Sequence, residues 1–177
     1  MFWVRIFIVL VFPVVVWSGI TIPVGFSATF VQKVTNAKKK TIRYTGALFV
    51  NRSREFHWTY RTPMLREICG DGSRVRVIDH ALKQVVVYKV GSLLDLMQLL
   101  KRAERYRPDI YLAKYHGVRY TLKIDHQGRI EQIAYTDAMD NVVNIHFHHV
   151  LYRAVPVTPS QLRCTVPASY DIVKGSS

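Results

Sequence analysis

The side chains best suited to chemistry are few. His146-x-His148, with His149 beside it, is the closest approach to a metal motif. In a strand, residues 146 and 148 project from one face, as a chelating pair must. No Asp, Glu or Cys nearby supplies a third ligand, and Val143, Ile145 and Phe147 claim the opposite face for a core. The three histidines therefore read as a polar outer face, and no metal is expected. Cys69 and Cys164 are the two thiols. Cys69 has no His partner visible in the sequence. The pair reads either as a disulfide or as two small buried hydrophobes. No Gly-x-Ser-x-Gly and no glycine-rich phosphate loop occurs. The chain reads as a non-enzyme without a cofactor.

The stretch that must position anything else is Thr41 to Pro63. Ile42, Tyr44, Leu48 and Val50 share one strand face, with Gly46 among them. Asn51 to Arg54 carries turn chemistry. Phe56, Trp58 and Tyr60 share a face of the next strand, and His57, Thr59 and Arg61 the other. Two adjacent strands thus offer one aromatic and aliphatic wall, which a core, a partner or a ligand must cover.

Upstream, Phe26 to Val34 alternates as a first strand carrying Phe30. Downstream, Leu65–Cys69, Arg74–Ile78 and Gln84–Val90 are short strands, the last nearly all apolar and expected to be buried on both faces or to lie near a lid. Ser92 then opens a helix as N-cap, and Arg107-Pro108 ends it. Leu93, Leu96, Met97, Leu100 and Ala103 form its apolar stripe. Strands return from Ile110 to Val150, and a last strand and tail run from Leu162 to Val173. Short strands with tight turns indicate a mainly β (α+β) fold, a meander curling into a barrel or deep half-barrel whose helix is plain core or a lid; the favoured form is a half-open antiparallel β-barrel covered by a helical lid.

The chain has 177 residues, 49% of them hydrophobic, which favours an ordered core over disorder. Its formal charge of +13 admits a basic secreted protein that binds nucleic acid or another polyanion. The basic residues are scattered, apart from Lys38–Lys40, so a solvated sheet face is the other reading. Residues 1–18 read as a signal peptide: Arg5 precedes an apolar run, and small residues precede a cut after Ser18 or Gly19. An uncleaved anchor is the alternative. Residues 19–177 form a single domain in this reading.

Three segments together resemble the LolA family of periplasmic lipoprotein carriers. FSATFVQKV, residues 26–34, is similar to its Phe-x-x-x-Phe-x-Gln opening. LFVNRSREFHWTYRTP, residues 48–63, is similar to its strand ending in Arg followed by a Phe-x-Trp strand. Residues 147–173 resemble its closing strand and Pro-x-x-[aromatic or aliphatic]-Asp end. The resemblance implies a periplasmic carrier of triacylated lipoprotein. It implies an inner-membrane ABC transporter complex as donor and an outer-membrane lipoprotein receptor as acceptor, with no nucleic acid. The carrier is expected to act as a monomer.

On the residues alone, Arg52 reads either as a solvated turn arginine or as a cation seeking carbonyls at a helix end. The resemblance makes it the latch that holds the helical lid closed, with Phe56 at the mouth and Trp58 inside. Ser53 stands where the family has Pro. The family's first helix is missing, because Pro23 disfavours one in the short Ile20–Gly25 segment. Shared parity and the helix stripe place Phe30, Tyr44, Leu48, Val50, Phe56, Trp58 and Tyr60 around one interior with Leu93, Leu96, Met97 and Leu100, and the resemblance implies that this interior binds lipid. Placement of Trp58 and Met97 on unrelated surfaces would overturn that cavity.

Overall fold

The computed structural model describes residues 19–89 and 95–175. The expected signal peptide, the helix cap Ser92 and the lining residue Leu93 lie outside them.

Six strands come first: β1 (Gly25–Thr35), β2 (Thr41–Asn51), β3 (Glu55–Thr62), β4 (Arg66–Asp71), β5 (Arg74–Asp79) and β6 (Gln84–Lys89). Helix α1 (Leu96–Lys101) is followed by β7 (Glu104–Arg105), β8 (Ile110–Tyr115), β9 (Val118–Ile124), β10 (Ile130–Thr136) and β11 (Val142–Arg153). A short helix α2 (Pro159–Leu162) and β12 (Asp171–Lys174) complete the chain. All the strands join one 12-stranded sheet in the order β12-β6-β5-β4-β3-β2-β1-β11-β10-β9-β8-β7. β7 and β12 are its two edges and do not pair with each other. The sheet curls without closing, which is the half-open barrel expected from the sequence.

Period-2 alternation gives the sheet two unlike faces. On the concave face, register aligns Phe26 with Val50, Ala28 with Leu48 and Phe30 with Gly46, then Val50 with Phe56, Leu48 with Trp58 and Gly46 with Tyr60. β11 adds Phe147 opposite Phe30. β8, β9 and β10 continue this face with Tyr111, Ala113, Leu122 and Ile133, all buried in the same core. The convex face of β4 to β6 carries a second, smaller core of Cys69, Ile78 and Val85, covered by Cys164, Val166 and Tyr170 of the C-terminal segment. Cys69 and Cys164 form a disulfide, with Cα atoms 6.3 Å apart. That resolves the open question in favour of the bridge.

Four details depart from the sequence reading. Helix α1 spans only six residues and stops well before Arg107. Its apolar positions end near Leu100, and Glu104 and Arg105 satisfy their backbone by pairing with Leu112 and Tyr111 of β8. Asp95 is the N-cap: its side chain accepts from the Gln98 N–H at 3.0 Å. Gln84–Lys89 is not buried on both faces, because only Val85 is fully covered there. The last strand is only four residues, added parallel to β6, and α2 with irregular chain occupies the rest.

Gly46 shows how tightly the concave face is built. The space where its side chain would stand is filled by the Phe30 ring and by the Thr59 carbonyl of β3. Gly46→Ala should therefore lower stability by about 1–3 kcal/mol through overpacking. Gly19→Ala, which meets nothing within 4 Å, should stay within about 0.5 kcal/mol. Urea unfolding midpoints of the two variants give the comparison, and equal midpoints would contradict the packing described.

Candidate functional site

The concave face brings together most of the residues selected from the sequence. Phe30, Leu48, Val50, Trp58, Leu96, Met97 and Leu100 are all buried in one apolar cluster. Phe56 and Tyr60 are half-buried and pack against it. Trp58 and Met97 thus share one interior. Tyr44 lies outside the cluster but touches Tyr60, ring centroids 5.8 Å apart. The floor is an aromatic chain: Phe30 meets Trp58 edge-on at 5.1 Å and Tyr60 at 5.2 Å, and Trp58 stacks on Tyr60 at 6.2 Å.

Sequence reasoning missed Leu99, which is fully buried in the same cluster. A one-sided stripe leaves residue 99 out. The short helix is instead enclosed on several sides, so adjacent Leu99 and Leu100 both find cover. The opposite wall, from β8 to β11, was legible as alternation but carried no motif that marked it.

Beside the buried floor lies a cleft of about 210 Å³, lined by Gln32, Val34, Tyr44, Tyr60, Met64, Arg66 and Ile68. Its walls are mainly apolar with a few polar groups. The Tyr60 hydroxyl donates to Gln32 Oε1 at 2.9 Å. Burial, with smaller contributions from Tyr135 and Tyr44, pushes the Tyr60 phenol well above its ordinary value, and Arg66 opposes this in part. The cleft is smaller than an ordinary ligand pocket of about 300–1,000 Å³. Larger apolar guests require α1 or its neighbours to move.

The opposite rim is closed by residues 20–24, an extended strap. Ile20 and Ile22 pack onto the core. The Thr21 N–H donates to the Gly128 carbonyl at 2.8 Å, and the Val24 N–H to the Arg153 carbonyl at 3.2 Å. Pro23 sits within it, and no helix forms there, as expected.

The β2–β3 tip holds three segments at once: the strap and the start of α1, which cover the concave face, and the segment after β11 on the convex side. Arg52 donates from Nη2 to the Ile22 carbonyl at 2.7 Å and from Nε to the Pro23 carbonyl at 3.3 Å. This corrects the expected partner: Arg52 reaches carbonyls, but those of the strap and not those of α1. The Arg52 N–H donates to the Val24 carbonyl at 2.9 Å, which lays the strap alongside the tip and brings its carbonyls nearest. Arg54 is the residue that reaches the helix, with Nε 3.5 Å from the carboxylate of the N-cap Asp95. Asn51, buried, accepts from the Val157 N–H at 2.7 Å and donates to the Val157 carbonyl at 3.3 Å. No sequence signal pointed to that last clamp beyond an Asn at a turn.

The histidines of β11 behave as outer-face residues. His146 is half-buried, His148 and His149 are exposed, and His149 Nδ1 lies 3.1 Å from Thr29 Oγ1. Among the described residues, the group of potential ligands that does converge is His57, Cys69 and Cys164, within 4.8 Å of one another. His57 faces Cys69 across the β3–β4 register. The partner that the sequence did not show for Cys69 is therefore present.

Residues 24–100 match the family model described as outer membrane lipoprotein carrier protein LolA. The chain is 28% identical over 149 residues to the outer-membrane lipoprotein carrier protein of Campylobacter jejuni, covering 84% of this chain and 86% of that one. It is 27% identical over 115 residues to the protein of the same name from Helicobacter hepaticus, covering 65% and 64%. A solved structure of an uncharacterised conserved protein from Thermus thermophilus superposes with a TM-score of 0.54 at 11% identity, covering 86% of this chain and 91% of that one. That last likeness concerns the fold alone. The sequence matches bear out the LolA resemblance.

The buried phenols predict a pH dependence. Burial, with Tyr120 adding to it, raises Tyr135 from 10.0 to about 12. Burial likewise raises Tyr152 to about 12, against the Ile130 N–H that its oxygen accepts. A raised folded value means the folded state keeps the proton longer than the unfolded chain. Stability from these groups is then complete below pH 10 and is lost as pH rises toward 12. Urea midpoints should be flat up to about pH 10 and fall steeply above it, with the share of tyrosinate absorbance that belongs to the buried phenols appearing only on unfolding. Ionisation of all ten tyrosines while the protein is still folded would contradict the burial.

Proposed function

We propose, for a chain that carries the LolA match and resembles LolA carriers over most of its length, that it is a periplasmic carrier of lipoprotein acyl chains. It receives triacylated lipoprotein from an inner-membrane ABC transporter complex and yields it to an outer-membrane lipoprotein receptor. It acts as a monomer and performs no covalent chemistry. The observation that carries the reading is the concave apolar floor, continuous with a cleft, under covers held by exposed polar contacts.

The physics suits a carrier. Burial of an acyl CH₂ contributes about 0.8 kcal/mol, so a few chains are held by area alone. The guest must displace Leu96, Met97, Leu99 and Leu100 from the floor, because the same surface is their core. Met97 suits this exchange, since its unbranched thioether adapts to varied apolar shapes. Loading therefore swaps one apolar cover for another, and the difference stays small enough to reverse. The covers are tied down by groups whose bonds exist only in the closed form, which biases an empty carrier toward closure.

Arg52 is proposed as the main latch. Hydrogen bonds from a charged donor are worth about 1.5–3 kcal/mol, and these partly exposed ones belong at the low end. The Arg54–Asp95 contact is longer and made by an exposed arginine to a carboxylate rather than to carbonyls, a surface ion pair worth about 0–1 kcal/mol. Arg52→Leu should fold and take up lipoprotein, but it should transfer poorly to the acceptor, because the open, loaded form is relatively favoured. Arg52→Lys should be intermediate, since an ammonium replaces a two-pronged donor. Arg54→Leu should show a weaker defect. Pick-up from membranes and transfer to acceptor are measured separately for each variant, at low and high salt. Normal transfer by Arg52→Leu would sink the latch. Failure of the wild-type chain to take up triacylated lipoprotein, or uptake that falls steeply with salt as phosphate binding does, would sink the carrier reading in favour of a polyanion binder.

A further inference from the structure

The convex face holds a constellation that acyl-chain binding does not use. His57, Glu67 and Cys69 project from it on β3 and β4, and His80 lies just beyond β5. Cys164 and Tyr170 meet them from the C-terminal segment. The donor atoms of His57, Cys69 and Cys164 lie within 4.8 Å of one another. Glu67 Oε2 is 2.6 Å from His57 Nε2 and 3.7 Å from Cys164 Sγ. Tetrahedral zinc, with bonds of about 2.0–2.3 Å, holds its donors roughly 3.3–3.8 Å apart. Glu67 and Cys164 already stand at that spacing; the others reach it once the bridge is cleaved, the two sulfurs part, and His57 draws back from Glu67.

The donors are also oriented from behind, as metal ligands are. His57 Nδ1 lies 3.1 Å from the Gln161 carbonyl, to which it donates, leaving Nε2 aimed at the cluster. Glu67 Oε1 accepts from His80 Nε2 at 2.8 Å, and His80 Nδ1 accepts from the Tyr170 hydroxyl at 2.9 Å. Both the imidazole and the carboxylate are therefore fixed by a second layer of partners. Two thiolates, one imidazole and one carboxylate form a set that suits a borderline-soft divalent ion such as zinc.

We propose that reduction of the Cys69–Cys164 disulfide opens a zinc site built from His57, Glu67, Cys69 and Cys164. The reductant is a dithiol, which is itself oxidised to its disulfide while the two protein sulfurs become thiols. Zinc binding then releases three protons, one from each thiol and one shared between His57 Nε2 and Glu67. The ion replaces the covalent bridge and keeps the C-terminal segment fastened to β4. In the oxidised protein both sulfurs are committed to each other and the site is closed. His146 and His148 take no part.

The test uses the whole mature chain, oxidised and phosphine-reduced, with Co²⁺ as probe and Zn²⁺ as competitor. Reduced protein should bind one Co²⁺ per chain with thiolate-to-cobalt charge-transfer absorption, and Zn²⁺ should displace it. Oxidised protein should show no such band. His57→Ala should weaken binding by about tenfold or more, and the Cys69→Ser, Cys164→Ser double variant should lose the band. His146→Ala with His148→Ala should change nothing. Limited proteolysis of the reduced chain should show the C-terminal segment protected by Zn²⁺. The proposal is overturned by a missing thiolate band in reduced protein, by equal binding when oxidised, or by loss of binding in the His146, His148 variant. Equal cleavage of the tail with and without Zn²⁺ overturns it as well, including the case in which reduction simply releases the tail.

Discussion

The structure depends on one short tip, Asn51 to Arg54. A curled sheet that does not close leaves an apolar concave face with nothing to seal it, and water must be kept off it by separate pieces of chain. Here two such pieces converge on one hairpin, and a third segment joins it from the convex side. Arg52 grips the strap before β1, Arg54 faces the cap of α1, and Asn51 clamps the segment after β11. The contacts differ in kind. Asn51 is buried and satisfied twice by backbone, which suits a permanent join, because an orphaned buried amide would cost about 1–3 kcal/mol. The two arginines are exposed, and their bonds are exchangeable with water at small cost.

The two faces of the sheet solve different problems. The concave core is large, aromatic and covered by short elements that own little structure of their own. Helix α1 has only six residues, too few to be stable in isolation. Its helicity depends on the floor beneath Leu96, Met97, Leu99 and Leu100. The convex core is small and cannot hold the C-terminal segment by area. There the disulfide, the His57–Glu67–His80 array and β12 take over. Loading the concave face therefore need not disturb the tail, since the tail is fastened through the other side of β3 and β4.

On the proposed carrier function, the core is also the site. The floor residues Phe30, Leu48 and Trp58 are buried as any core residues are. What distinguishes the arrangement is the adjoining cleft at Tyr44 and Tyr60, and covers tied by groups that water can replace. On the same proposal, an apolar guest entering at the cleft meets the aromatic chain from Tyr44 through Tyr60 to Trp58, then the side chains of α1.

The sequence by itself determined the local geometry. Alternation is a property of neighbouring residues, so the faces of β1, β2, β3 and β11 were readable, down to Gly46 between larger neighbours and His146 facing outward. Pro23 excluded a helix from the strap for the same local reason. Tertiary structure decided every question of which distant groups meet. Arg52 carries donors whose need for carbonyls is plain from its type, but the register of strap and tip chose Ile22 and Pro23 over α1. Arg54 reached the helix because the cap of α1 is Asp95, a carboxylate, and lies beside the tip. The length of α1 was set by what it could bury and by the pairing of Glu104 and Arg105 with β8. His57 and Cys69 sit on different strands, and Cys164 lies 95 residues beyond Cys69. Nothing in local periodicity brings those three together. Cross-strand register and the return path of the C-terminal segment do.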